Sequence, residues 1–101
     1  MINQEIRNRI RISVAAYAYE YLDTSIMSDN EYDALSQKID IKKKTGNEML
    51  DNFFEKHFIA DTGIWVHKHP QKDKLKHLYE RFYTWQTVTV NHIKNIGMID
   101  W

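Results

Sequence analysis

Residues 18–33 read AYEYLDTSIMSDNEYD, the end of one helical pattern followed closely by the start of another. Ala18 to Leu22 continue an apolar pattern that starts upstream, and Asp23-Thr24-Ser25-Ile26-Met27 interrupts it. Ser28-Asp29-Asn30-Glu31 then opens a new helix with the S-x-x-E spacing of a capping box. In such a box the serine hydroxyl accepts the backbone N–H of Glu31 while the glutamate carboxylate reaches back to the N-cap amide. The acidic Asp29 and Glu31 also suit the positive end of the helix dipole. Two helices joined by so short a loop are expected to pack as an antiparallel hairpin.

Upstream, Ile6, Ile10, Val14, Tyr17 and Tyr21 recur at spacings of three and four, the stripe of an amphipathic helix over residues 3–22. Ile12, Tyr19 and Leu22 widen the apolar surface, so this helix is expected to touch more than one neighbour. Downstream, Tyr32, Leu35 and Ile39 give the second helix a short stripe, and Lys42-Lys43-Lys44 suits its C-terminus. Thr45-Gly46-Asn47-Glu48 is a second stop-and-start signal with T-x-x-E spacing. It precedes a third helix rich in Met49, Leu50, Phe53, Phe54 and Phe58. Asp61-Thr62-Gly63 reads as a turn, and Ile64-Trp65-Val66 is too short to classify. Pro70 stands at or just before a fourth helix whose buried face is Leu75, Leu78, Tyr79, Phe82 and Trp85. Residues 87–101 fit a short strand or a further helix equally well. The predicted fold is a mainly α, single small domain over residues 1–101, with a helical hairpin at 5–40 and a helical remainder at 45–101.

The 101 residues carry fourteen basic and fourteen acidic side chains, so formal net charge is zero. That argues against a protein living on nucleic-acid electrostatics and against an acidic nucleic-acid mimic. With no cysteine, disulfides, thiol catalysis, iron–sulfur clusters and cysteine zinc sites are excluded. The opening MINQEIRNRIRIS lacks the apolar core of a signal peptide, and no apolar run approaches a membrane span. The expectation is a cytoplasmic protein without a membrane partner.

The pieces Tyr19, Tyr21-Leu22-Asp23 and Ser28-Asp29-Asn30-Glu31-Tyr32-Asp33 together resemble the N-terminal Ia domain of NAD-dependent DNA ligases. That family's pattern is a tyrosine-rich helix end, an Asp, a short loop, and Ser-Asp-x-Glu-Tyr-Asp opening the next helix. The resemblance covers roughly residues 5–40, by a coarse reading of the elements. It implies a helical module that recognises the nicotinamide mononucleotide (NMN) half of NAD, with Tyr19, Asp29, Tyr32 and Asp33 as nucleotide-contacting positions. Independently, an oxidised nicotinamide ring is a flat cation that favours a tyrosine face and nearby carboxylates. Asp29, Tyr32 and Asp33 stand at i, i+3 and i+4, on one helix face. The chain departs from the family at Glu20, where a second aromatic or a histidine is usual; a carboxylate there still attracts a cation. The adenylation core with its K-x-D-G motif, the zinc finger and the DNA-binding domains have no counterpart, so the chain is not expected to seal nicks. Residues 53–84 do not resemble the ligase. An Ia-like start on such a chain is similar to small phage proteins related to the ligase, which implies a viral source and a role inside an infected bacterium.

Each of these residues has a plainer reading. Tyr19 and Tyr32 can be core aromatics between two helices, Asp29 a capping residue and Asp33 a solvated side chain. His67 and His69 would share a face on a strand, with His77 following, but Lys68, Lys72, Lys74 and Lys76 crowd the stretch and repel a dication. No metal site is therefore expected, and His57 among phenylalanines is expected to be packed. No nucleophile, zincin or G-x-S-x-G motif occurs, which predicts a protein that is not an enzyme and requires no cofactor. Trp65, Trp85 and Trp101 exceed what a small core needs, and with Lys68, Lys72 and Lys76 they are candidates for a partner surface. Two functions of different class follow. One is a non-catalytic module for a nicotinamide nucleotide. The other is a phage counter-defence protein, of the anti-CRISPR kind, that blocks a bacterial nuclease or defence complex by contact with a host protein. A nucleic-acid-binding accessory role is the weaker third.

Overall fold

The computed structural model describes residues 4–82, and the ambiguous 87–101 segment, with Trp85 and Trp101, lies outside them. The described residues form four α-helices, α1 (Gln4–Leu22), α2 (Asp29–Lys38), α3 (Glu48–His57) and α4 (Lys72–Phe82). A single 3-10 helix, Ile64–Lys68, stands between α3 and α4. The mainly α fold read from the sequence is the fold observed.

Helix α1 is the axis of the molecule. Ile12, Val14, Ala16 and Ala18 are almost wholly shielded, and Ile10, Ala15 and Tyr17 are buried with them. A helix buried on several sides needs several partners, and α1 contacts α2, the 3-10 helix and α4. Its alanines permit that crowding, since a methyl side chain lets neighbouring backbones approach closely. The last turn behaves differently from the expected stripe. Tyr19, Tyr21 and Leu22 are exposed. Thr24 N–H then donates to the Ala18 carbonyl at 3.1 Å, and Asp23 takes the left-handed conformation (φ 51°) that turns the chain back. Aspartate tolerates that region better than most side chains.

The capping box forms as expected. Ser28 Oγ accepts the Glu31 amide at 3.1 Å, and the Ser28 amide donates to Glu31 Oε1 at 3.2 Å. From there α2 runs back along α1, so that Asp40, just beyond its end, donates its amide to the carboxylate of Glu5.

Two local expectations are corrected. Helix α2 stops at Lys38 rather than near the lysine run, because the carbonyls of Asp40 and Lys43 turn out of helical register to accept from Arg9 Nη2 at 2.8 and 3.0 Å. A tertiary guanidinium outcompetes continued helix. At the next start, Asn47 and not Thr45 is the N-cap, its side chain accepting from Leu50 N at 3.2 Å. Thr45 instead donates its hydroxyl to Asp51 at 2.7 Å and its amide to the same carboxylate at 2.9 Å.

The remaining core is aromatic. Phe53, Phe54, Phe58 and Trp65 pack at centroid distances of 5.0–6.1 Å, in the offset and edge arrangements that aromatic quadrupoles favour. Leu75, Leu78 and Phe82 of α4 bury on α1's side of this core, with Tyr79 half-buried beside them. Trp65 is only 3% exposed, and its indole N–H donates to the Thr62 carbonyl at 2.7 Å. It is therefore core and not a partner-facing residue. The 3-10 turn, absent from any period-based reading, rotates it inward.

Candidate functional site

Where α1 ends and α2 begins, the hairpin leaves a pocket of about 410 Å³. That volume falls within the ~300–1,000 Å³ usual for small-molecule sites. One wall is the last part of α1, with Ala15, Ala16, Tyr19 and Glu20. The second is the start of α2, with Asp29, Tyr32 and Asp33, and the connecting Ser25, Ile26 and Met27 close the side between them. The third wall is the turn Asp61-Thr62-Gly63, some thirty residues downstream. All four positions singled out from the sequence, Tyr19, Asp29, Tyr32 and Asp33, line this one pocket.

Each wall has an identifiable anchor. Tyr32 is half-buried, and its hydroxyl donates to the Thr62 carbonyl at 2.7 Å, the same oxygen that accepts the Trp65 indole. Burial pushes the Tyr32 phenol up to about 12, so it serves as a neutral donor at any physiological pH. The core-packing reading of Tyr32 and the pocket reading therefore hold together: its tip is fixed by the downstream turn while its flank faces the pocket. Asp61 adopts φ 69°, which bends the turn toward α1. Gly63 then comes so close to the helix that an added Cβ would stand 3.3 Å from the Ala16 Cβ and 3.5 Å from its Cα.

That approach yields a prediction. A Gly63→Val substitution forces the turn off α1, so it is expected to cost ~1–3 kcal/mol in urea unfolding, the usual range for overpacking. A change within about 0.5 kcal/mol, the range of neutral surface substitutions, would show that the turn yields freely.

Tyr19 is 61% exposed, leaving its ring open at the pocket mouth. Glu20, beside it, faces the pocket and is also bound from outside. His67 Nε2 lies 2.8 Å from Glu20 Oε1, and His67 Nδ1 lies 2.9 Å from the Tyr21 hydroxyl. With the imidazole neutral, this arrangement has Nε2–H donating to the carboxylate and Nδ1 accepting from the phenol. Tyr21 also stacks on Tyr17 at 5.0 Å. The 3-10 helix thus braces the wall of α1 that carries Glu20.

The pocket's chemistry is one-sided. Among the described residues four carboxylates (Glu20, Asp29, Asp33 and Asp61) and two phenols line it, and no lysine, arginine or histidine does. Such a lining attracts a cation, offers acceptors to hydroxyl groups and presents an aromatic face. Sequence reading found the turn at 61–63 but not its place in the pocket, which depends on a long-range contact that no local pattern encodes.

The other polar candidates do not gather. His67 is exposed beside Glu20, whereas His69 is buried against the Phe53 ring at 5.0 Å, so the two do not share a face. Among the described residues no group of three or more His, Asp or Glu side chains could hold a metal ion. Lys68 and Lys76 are exposed, and Lys72 donates to the His67 carbonyl at 2.6 Å. His57 is half-buried, 5.5 Å from the Phe53 ring centroid. No helix among the described residues is long and apolar enough to cross a membrane. Compared with protein-family models, curated proteins and solved structures, the chain matches none.

Proposed function

We propose that the protein is a non-catalytic binding module whose hairpin pocket recognises the ring-and-ribose end of an oxidised nicotinamide nucleotide. One observation carries the reading: Tyr19, Asp29, Tyr32 and Asp33, chosen for their likeness to the ligase Ia pattern, line a single pocket. In this reading Tyr19 lies against the pyridinium face, where a cation–π contact is worth roughly 0.5–2 kcal/mol. Asp29 and Asp33, one turn apart, accept from ribose hydroxyls. Ionised acceptors make stronger hydrogen bonds than neutral ones. Tyr32, held by Thr62, shapes the pocket and keeps the two aspartates in register.

Calorimetric titration with oxidised nicotinamide compounds, including NMN and NAD, tests this. Wild type is expected to bind, and Tyr19→Ala and Asp33→Ala each to weaken binding by about tenfold, the equivalent of 1.4 kcal/mol. Both side chains are exposed, so neither variant should lose the fold. Absence of heat with every oxidised nicotinamide compound, or variants that bind like wild type, removes the reading.

A second reading, contact with a bacterial host protein in a counter-defence role, draws on the exposed Tyr21 and Leu22 beside the pocket mouth. Aromatic anchors of this kind are enriched at protein interfaces. It requires that a host protein be retained from lysate by wild type and lost with Tyr21→Ala.

A further inference from the structure

From the charge of the pocket we infer that its preferred ligand is a cationic nucleoside without a phosphate, of the nicotinamide riboside type, and that Glu20 enforces the choice. The inference rests on the nicotinamide reading above and sharpens it.

The argument starts from what a phosphate would need. An alkyl phosphate carries one to two negative charges near neutral pH and is normally met by arginine, lysine or free amides at a helix N-terminus. Among the described residues the lining supplies no lysine, arginine or histidine. The start of α2 is adjacent, but its capping box already occupies the amides of Ser28 and Glu31. What faces the cavity instead is Glu20, Asp29, Asp33 and Asp61. Juxtaposed like charges carry a large cost in recognition. A riboside bearing one positive charge gains from the same four groups that a phosphate must approach. The remaining features suit a nucleoside rather than a bare cation: an aromatic face at Tyr19, carboxylate acceptors for hydroxyls, and a volume well beyond that of a small ammonium.

Glu20 is the discriminating position because it is fixed from behind. Its bond to His67 at 2.8 Å, with His67 in turn held by Tyr21 at 2.9 Å, keeps the carboxylate on the pocket wall. A flexible surface glutamate could swing away from a phosphate, whereas this one is tethered.

The test is a competition of ligands on the full chain. By calorimetry nicotinamide riboside should bind at least about tenfold tighter than NMN. The gap should narrow as salt is raised, because screening weakens a repulsion between partly solvated charges. The reduced, uncharged dihydronicotinamide riboside should bind weakly. Glu20→Gln should bring the affinities for riboside and NMN closer together by several-fold. NMN binding as tightly as the riboside, or tighter, overturns the inference and leaves the nicotinamide reading standing. Choline binding as tightly as the riboside overturns it differently, by showing that charge alone is read. If none of the oxidised nicotinamide compounds binds, both readings fall together.

Discussion

Replacing Arg9 by methionine is expected to cost ~3–5 kcal/mol of folding stability, the cost of breaking a buried ion pair from one side. Arg9 is 5% exposed yet satisfies acceptors from three segments. Its Nε donates to Glu5 at 2.7 Å, Nη1 to Asp51 at 2.8 Å, and Nη2 to the carbonyls of Asp40 and Lys43. The guanidinium also lies 5.0 Å from the Phe54 ring centroid. One planar group thereby joins α1, the segment after α2 and the first turn of α3. Methionine replaces the aliphatic stem but has no donors. It would leave the buried carboxylates of Glu5 and Asp51 without their shared cation, and the desolvation cost would fall on them. Stabilities of small domains are typically ~5–15 kcal/mol, so the loss is a large fraction of the total. Urea unfolding of wild type and Arg9→Met reads it directly. Should the methionine variant fail to fold, Arg9→Lys supplies the measure: it keeps the charge but cannot span the acceptors, so it is expected to lose well over 1 kcal/mol. A loss in Arg9→Lys within about 0.5 kcal/mol, the surface range, would show that the fork geometry contributes nothing.

Arg9 also marks the boundary of what the sequence discloses. The capping box at Ser28 and Glu31 was legible because both partners are three residues apart and use backbone groups that any helix start exposes. The shared face of Asp29, Tyr32 and Asp33 was legible for the same reason, and the hairpin supplied Tyr19 through a short loop. What stayed hidden depends on distant partners. Nothing around residue 9 announces that its guanidinium will be covered by Asp51, forty-two positions away. The same guanidinium ends α2 early through the Asp40 and Lys43 carbonyls, and Asp51 draws Thr45 out of a capping role. Likewise Trp65 reads as a surplus aromatic until a short 3-10 helix turns it into the Phe53–Phe54–Phe58 cluster. The pocket was therefore half visible. Its α1 and α2 walls follow from helical periodicity, whereas its third wall rests on a turn whose only local hints are Asp61 and Gly63.

Between pH 7 and pH 4 the protein is expected to lose about 3 kcal/mol of stability through a single side chain, His69. His69 is 3% exposed, and burial together with the nearby Lys72 lowers its pKa from 6.5 to about 4. The geometry agrees, since His69 Nδ1 accepts the Gln71 amide at 3.0 Å and a proton on that nitrogen would face another N–H. The depressed value fixes the direction of the effect. Above pH 6.5 the imidazole is neutral in both states and its contribution is fully present. As pH falls below 6.5 the unfolded chain takes up a proton that the folded chain refuses, so stability declines until about pH 4. Asp51 acts in a separate window. Burial alone would raise its pKa, but bonds from Thr45 and Arg9 outweigh that and lower it below the ordinary 3.8. Its contribution therefore persists through the His69 window and disappears only in stronger acid. A His69→Gln variant, neutral at every pH and still carrying an acceptor, should flatten the decline between pH 7 and pH 4 while leaving the collapse at lower pH in place. Urea unfolding across that range measures it, and nitrogen-detected NMR of the His69 ring gives an independent reading without substitution. A decline equally steep in His69→Gln, or a ring midpoint near 6.5 in the folded protein, would mean that the imidazole accepts its proton where it sits and that the core around Phe53 tolerates the charge.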